Sequence, residues 1–276
     1  MWDTTRALGA VALVGTISAT APAAAQPATV EQHTEAVVEA APEEDTTSLN
    51  VSAGMVLTTG NTESFQLNAG SRLELVRGMH SFQAEASYVL SLAGDSYGTE
   101  TANNVRGRLR YDLFFTPMDA VFAAAMIRRD PFAGLNPRVQ GQIGYLRNFL
   151  KEENHRFWGE VGYDLTYDRY DYDLLPVDPA MDPTLPDHQV THSARLFVGY
   201  DNHMSENLTY LAGLEGLLNV EDLADLRLNW DNAVRTSIGG NFQAELKFSL
   251  LFDNVPVRSA KKLDTTTQLA LIYTFI

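Results

Sequence analysis

The chain contains no cysteine among its 276 residues. That excludes a disulfide framework, a thiolate metal site and a thiol nucleophile. Beyond its first stretch it also lacks any run of eighteen apolar residues, so no transmembrane helix is expected in its body. Positive charge is scarce: 20 Lys and Arg stand against 35 Asp and Glu, a formal net charge of −15. A balance of that sign argues against non-specific binding to nucleic acid or to anionic headgroups. There is no glycine-rich phosphate loop and no zinc cluster, and no cofactor is expected. Hydrophobic content is an ordinary 45%. The information lies in how those residues are arranged.

The beginning of the chain reads "MWDTTRALGAVALVGTISATAPAAAQ". An apolar segment from Ala7 to Ala19 follows Arg6, and Ala23-Ala24-Ala25 offers an A-x-A cleavage site before Gln26. This spacing predicts a secretory signal peptide over 1–25. Residues 26–45 carry six acids and no Lys or Arg, which predicts a solvated acidic arm, mostly disordered. From Thr46 to Ile276 the text becomes strands and turns.

The stretch "NFQAELKFSLLFDN", 241–254, shows the pattern. Phe242, Ala244, Leu246, Phe248, Leu250 and Phe252 alternate with Gln243, Glu245, Lys247, Ser249 and Asp253, broken only by Leu251. Period two is strand spacing. Twelve such segments are expected, near 47–58, 63–77, 80–92, 102–116, 119–129, 137–150, 155–171, 189–203, 206–219, 225–238, 241–254 and 262–276. Globular strands average about five or six residues, whereas a strand tilted across a bilayer needs roughly nine to eleven. Tight links such as "RGMH", "TPMD", "KEEN", "HMSE" and "GGN" alternate with longer ones, apart from the short "TGNTE". Short periplasmic turns and longer external loops are the habit of outer-membrane barrels. The expected fold is therefore an all-β, transmembrane, antiparallel up-and-down barrel of about twelve strands. An even strand number puts both termini on the periplasmic side.

In such a barrel the greasy stripe faces lipid and the charges face the lumen. On strand four, Val105, Leu109, Tyr111 and Leu113 would face lipid and Arg106, Arg108, Arg110 and Asp112 the interior. Aromatics near strand ends, Tyr88, Phe114, Phe149, Phe157, Tyr170, Tyr200 and Phe242, are expected to form interfacial girdles. Within the lumen two walls stand out. A basic wall draws Arg106, Arg108, Arg110, Arg128 and Arg138 from strands four to six. An acidic wall draws Glu160, Asp164, Asp168, Asp201 and Glu215 from strands seven to nine. If a gap separates them they line a narrow channel. If it closes they form a salt-bridged plug. The chain closes on "TTTQLALIYTFI", where Leu271, Tyr273 and Phe275 share a face and form the expected C-terminal signal for the barrel-assembly machinery.

The residues "TTGNTES", "GRLRYDLFFT", "RRDPFAGLNPRVQGQIGYLRN" and "KKLDTTTQLALIYTF", in this order and spacing, resemble the YdiY-like salt-induced outer membrane proteins, a domain-of-unknown-function family. The resemblance spans 47–276. It implies an outer-membrane β-barrel and no established activity, substrate or catalytic residue.

Enzymatic chemistry finds little support. His192 and Ser193 are adjacent on one strand and so point to opposite faces, which forbids a simple dyad. The loop 171–187 holds Asp171, Asp173, Asp178, Asp182 and Asp187, but its spacing matches no EF-hand, and no metal site is expected. The sequence thus points to a barrel of the bacterial outer membrane that is not an enzyme and passes ions or small polar solutes. The alternatives are a non-conducting structural or envelope-stress barrel with a salt-bridged lumen and, further off, a lipid hydrolase. Its expected partners are outer-membrane lipid, lipopolysaccharide and the assembly machinery. No nucleic acid is expected, and the barrel should be monomeric.

Overall fold

A computed structural model describes residues 45–58, 64–94, 98–173, 186–255 and 262–275. The expected signal peptide, the arm apart from Asp45, and Asp178 and Asp182 of the long loop lie outside these residues. The described residues form twelve strands: β1 (Thr46–Thr58), β2 (Ser64–Arg77), β3 (His80–Ala93), β4 (Thr99–Phe114), β5 (Asp119–Asp130), β6 (Leu135–Lys151), β7 (His155–Tyr170), β8 (His188–Ser205), β9 (Leu208–Asn219), β10 (Leu226–Gly239), β11 (Phe242–Asp253) and β12 (Leu263–Thr274). Each pairs antiparallel with its chain neighbours, and β1 meets β12 to close the barrel. Closure leaves no full-length open edge, which is the condition for putting a sheet in hydrocarbon.

The tight turns all lie at one end, together with both ends of the barrel sequence. There Arg77 donates to the carbonyl of Thr46 (2.6 Å), and the Thr274 N–H donates to the carbonyl of Asn241 (3.0 Å). The longer links leave the strands at the other end. "DPFAGLNP" proves shorter than expected: Pro131–Ala133 make one 3-10 turn and the strand resumes at Leu135. The ladder with β7 then skips from Leu135 to Arg138. Pro137 falls in that gap, and a residue without an N–H cannot donate to a ladder. Past β7, Asp171 accepts from Asn136 Nδ2 (3.0 Å) and from the Asp173 N–H (3.2 Å), which hold its carboxyl below the usual range.

The burial pattern is the inverse of a soluble protein's. Leu109, Ile143, Leu196, Leu246 and Leu269 are more than half exposed on the outer surface, while Ser81, Asp112 and Asp164 are fully buried inside. This is the alternation of the sequence made three-dimensional: one parity forms an apolar outer belt, the other a polar interior. Phe149, Phe157 and Phe242 lie on the outer surface as expected for a girdle. Phe114 does not. It shares the parity of Arg106, Arg108, Arg110 and Asp112, points inward and is 1% exposed. Tyr170 likewise shares the inward parity of Asp164 and Asp168 and donates to Gln189 (3.0 Å).

The lumen as candidate functional site

The interior divides into a filled half and a hollow half. The filled half belongs to β4–β9. Near the tight-turn end, Phe114 and Ala120, Phe122 and Leu146, Trp158 and Phe197 pack into an apolar cluster inside the lumen. Trp158 fits because its cross-strand partner is Gly199. A Cβ built there would stand 2.1 Å from Trp158 Cζ2, so the indole occupies the place of a side chain.

A charged layer sits on this cluster. Arg110 forks onto its neighbour Asp112 (Nη2–Oδ1 2.7 Å) and onto Glu160 of β7 (Nη2–Oε1 2.9 Å). Arg195 of β8 donates to Glu160 (Nη1–Oε2 2.6 Å) and to Glu215 of β9 (Nε–Oε1 2.6 Å). Asn229 Nδ2 of β10 donates to the second Glu215 oxygen at 2.9 Å. The guanidinium of Arg110 lies 4.2 Å above the Phe122 ring, and that of Arg156 lies 4.1 Å above Trp158. Planar cations over aromatic faces tie the charged layer to the apolar one. Removing one member would leave buried charge uncompensated, at a cost of about 3–5 kcal/mol.

All ten residues of the two expected walls have the inward parity, but the walls do not face each other across water. In a ring of twelve, strand n lies opposite strand n+6. Thus β4–β6 face β10–β12 and β7–β9 face β1–β3, while the two expected walls are contiguous. They meet as neighbours, Arg138 with Asp168 (Nε–Oδ1 2.6 Å), or along a chord, Arg110 with Glu160. Asp164 takes amide and hydroxyl donors, Gln142 at 2.9 Å and Thr166 at 2.7 Å. Arg128 pairs within its own strand with Asp130 (2.8 Å). Arg108 turns away from the acidic wall to Glu85 of β3 (3.7 Å). Asp201 is buried on β8 beside Arg156, which is its register partner. Each wall also holds a residue of the opposite sign, Asp112 in the basic and Arg195 in the acidic one. Sequence parity turns Asp112 inward, as expected, and the same rule applied to β8 would have found Arg195. The inward aromatics carry the same parity signal.

The hollow half belongs to β1–β3 and β10–β12, with Leu211 of β9 at its border. It encloses a cavity of about 170 Å³, with Asn50, Ser52, Arg72, Glu85, Glu245 and Gln268 among its lining residues. Arg235 reaches Glu245 there (Nη2–Oε2 2.6 Å). No reactive constellation accompanies it among the described residues. His192 rests against the Tyr163 hydroxyl on the outer surface, and Ser193 is buried on the inner one.

A closed antiparallel transmembrane barrel with an apolar belt and a polar, half-filled lumen is the class these features define. Within that class, the chain belongs to the family described as "Protein of unknown function, DUF481", which matches residues 51–275. The NanC porin is 9% identical, with 83% of this chain and 100% of that one covered and a TM-score of 0.50. An outer membrane channel from Pseudomonas putida F1 is 8% identical, with 86% and 98% covered and a TM-score of 0.47. The KdgM porin is 9% identical, with 84% and 100% covered and a TM-score of 0.46. At these identities the NanC likeness speaks for the fold. No curated protein matches the chain.

Proposed function

We propose that this protein is a monomeric barrel of the bacterial outer membrane that passes small polar or ionic solutes through a narrow lumen. The observation that carries this reading is the hollow half: about 170 Å³ of charged and amide-lined space beside a rigid, filled wall. In this reading the tight-turn end and both termini are periplasmic, and the outer belt meets lipid and lipopolysaccharide. Leu271, Tyr273 and Phe275 present the face recognised by the assembly machinery. A lipid-hydrolase reading would have to begin from His192 and Ser193, which stand on opposite faces of the wall.

The second reading is a non-conducting structural barrel. It is favoured by the chain Asp112–Arg110–Glu160–Arg195–Glu215, which closes β4–β9 over the apolar cluster. Single-channel recording in planar bilayers separates the two. A narrow channel gives small, discrete conductance steps with weak ion selectivity, since acids and bases are interleaved along its walls. Arg108→Glu places a second carboxylate beside Glu85, so reversal potentials in a salt gradient should move toward cation preference. Silent membranes for both proteins would leave the structural reading. A conducting mutant with an unchanged reversal potential would remove Arg108 from the path.

A further inference from the structure

Two cross-strand rows of the lumen concentrate positive charge. One runs Arg72, Glu85, Arg108 across β2, β3 and β4; the next runs Ser87, Arg106, Arg128, Arg138 across β3 to β6. In the first row Glu85 Oε1 stands 3.7 Å from Nη1 of both Arg72 and Arg108, one carboxylate between two guanidinium groups. In the second, Arg128 has Asp130 and Arg138 has Asp168. Arg106, the residue between Ser87 and Arg128, is only 6% exposed, and its Nε and Nη1 are buried without a hydrogen-bond partner among the described residues. A guanidinium cannot shed its proton to escape such a site. A buried cation left without an acceptor is costly, by several kcal/mol after relaxation. A void of about 10 Å³ lies against Arg106 and Arg108, lined also by Glu85, Ala86 and Ser87. That is room for about one oxygen-sized atom. The 170 Å³ cavity also touches Glu85 and is lined by Arg72.

We propose that Arg106, with Arg108 and Ser87, is the binding site for one anionic oxygen of a small carboxylate or phosphate solute, whose remaining atoms occupy the neighbouring cavity. The site names the solute class of the channel proposed above and rests on that reading only for access to the lumen. The chemistry is that of charge-assisted recognition: Nε and Nη1 of Arg106 carry N–H groups with no acceptor among the described residues, and an anionic oxygen accepts from one of them. Glu85 is the counterweight. It holds Arg72 and Arg108 apart and sets the affinity low enough for release.

The test uses the full mature barrel refolded in detergent, with thermal unfolding followed by heat-modifiable migration. Acetate, phosphate and chloride are compared at equal ionic strength. A ligand that binds only the folded state raises the midpoint in proportion to its binding. Acetate or phosphate should raise the wild-type midpoint above that in chloride. The difference should vanish in Arg106→Gln, which removes a buried charge and should fold at least as well. It should grow in Glu85→Gln, which removes the competing carboxylate. General salting effects act on both proteins alike and cancel in the comparison. Radiolabelled acetate and phosphate binding at equilibrium tells a carboxylate site from a phosphate site. Equal midpoints in all three anions, an equal rise in Arg106→Gln, or an effect of chloride alone would overturn the proposal. A barrel that conducts without any anion-specific shift keeps the channel and loses the site. One that shifts without conducting keeps the site and loses the channel.

Discussion

Trp158 and Gly199 show how much one position can carry. The indole lies inside the lumen only because the partner strand offers no Cβ: an added methyl would stand 2.1 Å from its ring. The backbone at Gly199 holds Trp158 from one side, Phe197 packs at 6.1 Å between ring centroids, and Arg156 covers the indole at 4.1 Å. Gly199→Ala forces the ring out of this slot. Overpacking of this kind costs about 1–3 kcal/mol. The expected outcome is a lower urea midpoint in liposomes together with a changed tryptophan emission. An unaltered midpoint and spectrum would mean that the indole is not seated on Gly199.

At the scale of the strand, the seam between β1 and β12 is the weak join. β1 pairs with β2 at thirteen positions, from Thr46–Val76 to Thr58–Ser64. With β12 it pairs at only four, from Asn50–Thr274 to Ala53–Leu271. One residue on, Gly54 comes so near that a Cβ would lie 2.6 Å from the Leu269 carbonyl oxygen. Beyond it no register pair joins the two strands among the described residues. Free backbone groups on a sheet edge exchange fastest, since opening there breaks the fewest bonds. Hydrogen exchange of the refolded barrel should therefore be fastest at the seam-facing amides of residues 54–58, and slow across β6–β7, which pairs along most of its length. Uniform protection around the ring would contradict the short seam. The same geometry explains why the last residues matter. Tyr273 packs at a tilt against Phe242 and meets Phe275 edge-on, both at 4.8 Å between ring centroids. Deleting Tyr273–Ile276 removes two of the four seam pairs as well as the aromatic face. Secretion should persist and outer-membrane insertion should fail, read as the loss of heat-modifiable migration in the membrane fraction.

For the whole molecule, the decisive property is that polarity is turned inside out. Leu246 is 53% exposed on the belt, whereas its neighbour Glu245 lines the cavity and accepts from Arg235. Leu246→Arg puts a charge against hydrocarbon, at about 2–4 kcal/mol near mid-bilayer. Glu245→Gln keeps an acceptor for Arg235 and should cost clearly less. Urea unfolding in liposomes measures both, and two small, equal effects would contradict the placement of the belt.

The alternation on strands such as 242–253, broken there only at Leu251, and their unusual length were enough to determine a lipid-facing barrel with its charges inside. Side-chain parity is a local property, and a bilayer selects it strand by strand. Parity also decided that Arg106, Glu160 and their companions face the lumen, and it would have sent Phe114 inward had it been followed to the strand's end. What the chain could not state alone is who meets whom across the interior. That depends on the number of strands in the closed ring, which sets β4–β6 opposite β10–β12, while the chain order of the meander makes the two expected walls neighbours. It depends as well on the tertiary choice of Trp158 to fill the space of Gly199. Only the closed barrel turned Arg110, Glu160, Arg195 and Glu215 into one chain of ion pairs, hollowed the other half, and left Nε and Nη1 of Arg106 without an acceptor among the described residues, because each is a relation between strands.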